Sequence, residues 1–125
     1  MDSPNKQTVA RVTPIDYSSA LRWVDGDRTL LAELTEVFVQ DCPQRMKELE
    51  EGVKGNNAES IRRAAHSLKG MVSGFGAHQA KALAEEMETL GRGGQLMEAG
   101  DLLPAVLCEF MHVIEHLKKT DWQIM

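Results

Sequence analysis

From Asp16 to Leu117 apolar residues return every three or four positions, the spacing of helices with one buried face. Asp16 can cap a short first helix running through Leu21 to Val24, and Asp25-Gly26-Asp27 breaks it. A long second helix starts near Asp27, with Leu30, Leu34, Val37, Phe38, Cys42, Met46, Leu49 and Val53 on one side. Pro43 lies inside it and predicts a kink, because proline removes one backbone bond. Gly55-Asn56-Asn57 ends this helix, and Asn57 can cap a third over about Ala58 to Ser73, closed by Gly74-Phe75-Gly76.

The fourth helix is predicted from about Ala77 to Leu90, with Ala80, Leu83, Ala84, Met87 and Leu90 inward and Gly91, Gly93 and Gly94 as its stop. The fifth carries Leu103, Val106, Leu107, Phe110, Val113, Ile114 and Leu117 on one stripe. Asp101 as cap with Pro104 in the first turn is one start; the other lies near Met97, with a kink at Pro104. No run alternates as a strand does. The fold class expected is all-α, an antiparallel four-helix bundle with a short additional N-terminal helix. Residues 15–120 form the domain, residues 1–14 read as a polar tail or linker, and residues 121–125 as a C-terminal tail.

The 125 residues suffice for one hydrophobic core, and 42% hydrophobic with 26% charged residues is an ordinary globular balance. A formal net charge of -5 argues against general nucleic-acid binding. No apolar run reaches a membrane-spanning length of about 18 residues, and the first residues lack the apolar centre of a signal peptide. Cys42 and Cys108 fall in apolar patterns and read as reduced core residues of a cytosolic protein; two cysteines make no disulfide framework.

The third helix carries the chemistry. At about 100° per residue, Arg62, Arg63, Lys69, Gly70 and Ser73 fall within about 60° of His66. Ile61, Ala64, Ala65, Leu68, Met71, Val72 and Phe75 fall on the other side. His66 thus stands opposite the core among three cations, with no carboxylate in its own helix patch and a glycine one turn later. A neutral imidazole is a competent nucleophile at cellular pH. Nearby cations favour that neutral form and neutralise an attached phosphoryl group. A Gly-rich phosphate loop is missing, so the chain reads as able to hold a phosphoryl group and not to take one from ATP. The residues alone equally allow a surface histidine on a solvated basic face.

Ala65-His66-Ser67-Leu68-Lys69-Gly70, followed by Phe75-Gly76-Ala77, resembles the signature of the histidine-phosphotransfer (HPt) family of two-component phosphorelays. Ala84-Glu85-Glu86-Met87-Glu88 and Leu90-Gly91-Arg92 are similar to the family's next helix, and the resemblance runs over roughly residues 16–118. It implies that His66 carries the phosphoryl group on Nε2, that Lys69 neutralises phosphoryl oxygens, and that Gly70 leaves room for a docking receiver domain. It also implies that Glu88 lies near His66 and can accept a hydrogen bond from the other ring nitrogen. A solvated helix charge is the competing reading of Glu88. Arg62, Arg63 and Arg92 would add positive potential.

The implied partners are response-regulator receiver domains, which bring the phosphoaspartate and the Mg²⁺, so the carrier itself needs no cofactor. An apolar docking surface is implied on the first three helices, with no nucleic acid, no membrane contact and a monomeric domain. Such domains often end a hybrid sensor kinase, whose membrane-bound parent would place this part in the cytoplasm. The polar first residues suit an excised module, and a free-standing carrier suits the same sequence. Two other functions fit: a helical interaction module without phosphotransfer, and the phosphoacceptor domain of a chemotaxis-type kinase. His112 and His116 have i, i+4 metal-compatible spacing but follow a polar face without further ligands. His78 reads as a surface residue, and Met46, Met71, Met87 and Met111 as core or core-edge filling.

Overall fold

The computed structural model describes residues 13–124, so most of the 1–14 tail lies outside the described residues. Five helices follow one another: α1 (Tyr17–Trp23), α2 (Arg28–Lys54), α3 (Ala58–Ser73), α4 (His78–Arg92) and α5 (Leu96–Lys118), then a 3₁₀ turn at Trp122–Ile124. Three of the starts are set by side-chain caps. Asp16 accepts from Ser19 N, Asp27 from Leu30 N, and Asn57 from Ser60 N. Each such cap typically stabilises a helix by about 1 kcal/mol.

The four long helices close a ring: α3 packs between α2 and α4, and α5 completes it against α4 and α2. Phe38, Leu49, Ile61, Leu68, Met87, Val106, Phe110 and Val113 fill the centre, all nearly inaccessible. The α3–α4 turn is held from α1. Gly76 sits at φ +70°, its carbonyl accepts from Asp16 N at 3.0 Å, and a Cβ there would meet the Asp16 carbonyl at 2.8 Å. Glycine alone meets both demands.

Several expectations shift. The buried stripe of α2 is Leu31, Thr35, Phe38, Cys42, Met46 and Leu49, whereas Leu30 and Val37 are 40% and 53% exposed. The apolar band of this helix is wider than its core face, and the register follows Leu31. The helix runs unbroken through Pro43, which stands on the solvent side, where water can serve the freed carbonyl. Of the two starts expected for the last helix, the structure takes the earlier: it begins at Leu96, beside Met97, and Pro104 lies inside it. The added turn buries Ala99 completely, offsetting the backbone bond lost at Pro104.

Cys108 is exposed on α5, against the core placement expected; Cys42 is buried, and burial pushes its thiol up to about 12. Both are free thiols. Met111 is 45% exposed rather than core filling. The 121–125 segment is not a tail through its described residues. Trp122 is buried, its Nε1 donates to Thr35 Oγ1 at 2.8 Å, and its carbonyl accepts from Arg28 at 3.0 Å. Pro14 and Ile15 are likewise buried, so the packed body begins within the stretch read as tail.

Candidate functional site

The amphipathic split of α3 puts His66 outside. Ala64, Ala65 and Leu68 are buried beneath it, while the imidazole keeps 63% of its side-chain surface exposed. One turn on, Gly70 has open space where a Cβ would project, so nothing covers the ring from that position.

The decisive neighbour comes from α4. Gly91 is buried, and a Cβ there would lie 2.7 Å from Arg62 N and 3.1 Å from the Ala58 carbonyl. The two backbones therefore nearly touch. Gly91 was expected to stop the helix, yet α4 continues through it to Arg92. One turn earlier on the same face, Glu88 is brought against His66. Its carboxylate accepts from His66 Nδ1 at 2.9 Å and from Arg92 Nη2 at 3.0 Å, both at Oε2. The Lys69 ammonium lies 2.8 Å from Oε1. Oε1 accepts no aligned hydrogen bond, and the Lys69 ammonium is its partner.

Glu88 is only 5% exposed on its side chain. The Lys69 ammonium holds its carboxyl below the usual glutamate range; burial opposes this, and the His66 N–H adds to the lowering. Glu88 is thus ionised and can only accept. The proton of the shared bond must sit on His66 Nδ1, which leaves Nε2 as the ring nitrogen without a protein partner among the described residues.

A family model described as Hpt domain matches residues 33–120. The chain belongs to this family. Phosphorelay histidine phosphotransfer is therefore the general function of this Hpt domain. Histidine-containing phosphotransfer protein B (HptB) from Pseudomonas aeruginosa PAO1 is similar in structure: 26% identity, TM-score 0.78, covering 85% of this chain and 92% of that one. The HPT domain of a sensor hybrid histidine kinase from Shewanella matches with TM-score 0.77 at 15% identity, over 86% of this chain and 93% of that one, a likeness of fold alone. No curated protein matches.

The residues singled out on this Hpt domain divide into two sets. His66, Lys69, Glu88 and Arg92 converge on one cluster, with Gly70 open beside it. Arg62 instead forks onto Glu59, at 3.0 and 2.7 Å, and Arg63 lines a polar groove of about 510 Å³ between α2 and α3 with Arg45, Glu48 and Ser67. Glu88 is a buried hub rather than a solvated charge. Gly91 and the burial of Glu88 were missed, although Ala80, Ala84 and Met87 already carry helical spacing on to Gly91.

Trp23, Leu30 and Val37 are the large apolar side chains exposed on α1 and α2. His78 lies on the surface, 3.6 Å from Asp16. His116 is half-buried, hydrogen-bonded to the Tyr17 hydroxyl. Among the described residues no three potential metal ligands cluster, and no helix is long and apolar enough to cross a membrane.

Proposed function

We propose that this Hpt domain takes a phosphoryl group from a receiver-domain phosphoaspartate onto His66 Nε2 and later yields it to the aspartate of another receiver. The observation that carries the reading is the anchored ring: Nδ1–H on a buried, ionised Glu88 at 2.9 Å, with the opposite nitrogen facing solvent.

Nε2 attacks phosphorus, the Nε2–P bond forms, and the P–O bond to the receiver breaks with its electron pair leaving on the carboxylate. No proton needs to move. The ring keeps its Nδ1–H and becomes cationic, beside a carboxylate already aligned with it; stabilising a charged imidazole in this way is the carboxylate's role in hydrolytic triads. Reversal returns a neutral ring as leaving group, which suits a carrier. Lys69 neutralises the phosphoryl oxygens, whereas Arg62 is neutralised by Glu59 and Arg63 lines the groove against α2. Open space at Gly70 admits the receiver surface. The receiver brings the Mg²⁺, and the carrier uses no cofactor of its own.

The test is label transfer. A purified receiver domain, phosphorylated with labelled phosphoryl group in the presence of Mg²⁺, should label the protein in an acid-labile, alkali-stable bond. His66→Gln should abolish labelling with helical content unchanged by circular dichroism. Persistent labelling of that variant overturns the assignment.

A further inference from the structure

Glu88 uses its two oxygens differently. Oε2 accepts two aligned hydrogen bonds, from His66 Nδ1 and from Arg92. Oε1 has only Lys69, close at 2.8 Å but out of alignment. Lys69 is therefore the partner that can swing away without breaking either bond at Oε2. It is also the partner on α3, one turn from the ring that receives the phosphoryl group, and its side chain is 24% exposed.

Charge makes the release possible. In the resting cluster one carboxylate faces two fixed cations and the ring N–H of His66. Were Lys69 its sole counterion, removing it would strand a buried carboxylate, which is strongly unfavourable. Arg92 prevents this, because it bonds the oxygen that also takes the ring N–H. Attack on phosphorus then makes the ring itself cationic, a second replacement for Lys69 on Glu88.

We propose that Arg92 is a positioning residue for phosphotransfer: bonded to Oε2, it keeps a fixed cation on Glu88 and the carboxylate aligned on Nδ1, so that Lys69 can move from Glu88 to the incoming phosphoryl group. This rests on His66 being the acceptor. In the balanced step with phosphoramidate as donor, the Nε2–P bond forms, the P–N bond breaks, and ammonia leaves. Lys69 then changes partner from Oε1 to a phosphoryl oxygen, while Arg92 stays on Oε2.

The experiment is a double-mutant cycle on the full chain. Rates of His66 phosphorylation by phosphoramidate are measured for wild type, Arg92→Gln, Lys69→Gln and the double variant, with Arg92→Lys as the conservative control. Each fold is checked by circular dichroism. Arg92→Gln should slow phosphorylation roughly tenfold, equivalent to about 1.4 kcal/mol, and Arg92→Lys should restore most of it. In the Lys69→Gln background, Arg92→Gln should cost more than it does in the wild type, because it then removes the last fixed cation from the buried Glu88 carboxylate. Additive or smaller combined losses, no loss in Arg92→Gln, or no rescue by lysine would each overturn the role of Arg92. An unmodified His66 in the wild type is a different failure, that of the phosphotransfer reading itself.

Discussion

His66 Nδ1 and Glu88 Oε2 lie 2.9 Å apart, an exposed ring bonded to a carboxylate with almost no surface. The bond joins α3 to α4 and leaves one ring nitrogen for chemistry. Replacing Glu88 by Gln keeps the shape and removes the charge. Phosphorylation of the Glu88→Gln variant should slow by about tenfold or more, since the cationic ring loses its counterion. Single-turnover kinetics on the folded variant would check this; a wild-type rate would show the carboxylate to be dispensable.

Gly91 governs how closely α4 approaches α3. Valine there drives a side chain into the Arg62 backbone, which a Cβ alone would approach to 2.7 Å. Gly91→Val should cost about 1–3 kcal/mol in chemical denaturation. It should also slow phosphotransfer, because Glu88 retreats from His66. Lost stability at an unchanged transfer rate would separate the two effects and count against this coupling.

Docking can be separated from chemistry at Gly70. Leucine there occupies the open space beside the ring without touching Glu88. Phosphorylation of Gly70→Leu by phosphoramidate should stay within about twofold of wild type, while transfer to and from receiver domains should fall by at least about tenfold. Equal effects on small and large donors would exclude a docking role.

The C-terminal turn is a stability element distant from the site. Trp122 is buried against α2, bonded to Thr35, with Tyr17 packed edge-on at 5.7 Å. Trp122→Ala should destabilise the domain by about 3–5 kcal/mol, and Thr35→Val by about 1–3 kcal/mol through the stranded indole N–H. Thermal melts would test both.

Stability should fall in two stages on acidification. Burial, followed by the charges of His112 and Lys119, holds His116 below its ordinary value of 6.5. The unfolded chain therefore takes up that proton first. Its contribution is full above 6.5 and is lost as pH falls through the lower folded value. The Glu88 carboxyl lies below its ordinary 4.5, so its contribution is present above 4.5 and lost as pH falls through its own folded value. Denaturant midpoints from pH 8 to 3 should show both stages. His116→Gln should remove the first and leave the second.

Much was legible in the linear pattern, because helices are local objects. Capping by Asp16 and Asn57, the five-helix order and the outward face of His66 all depend on residues within a few positions of one another. The same locality explains the misplacements. Leu30 and Leu31 are both apolar, and only the neighbouring helices select which is buried. Asp101 and Pro104 imitate a helix start, so the linear pattern left two starts open, and the burial of Ala99 selects the earlier one.

By itself the sequence determined an imidazole on a basic helix face with glycine after it. Tertiary structure alone decided what that imidazole is bonded to. Glu88 is 22 residues away, and its value as a partner comes from its helix closing on α3 at Gly91. Whether a glutamate is a solvated charge or a buried, ionised acceptor depends on the cations and the dielectric that packing assembles around it. Those quantities exist only once the helices have met.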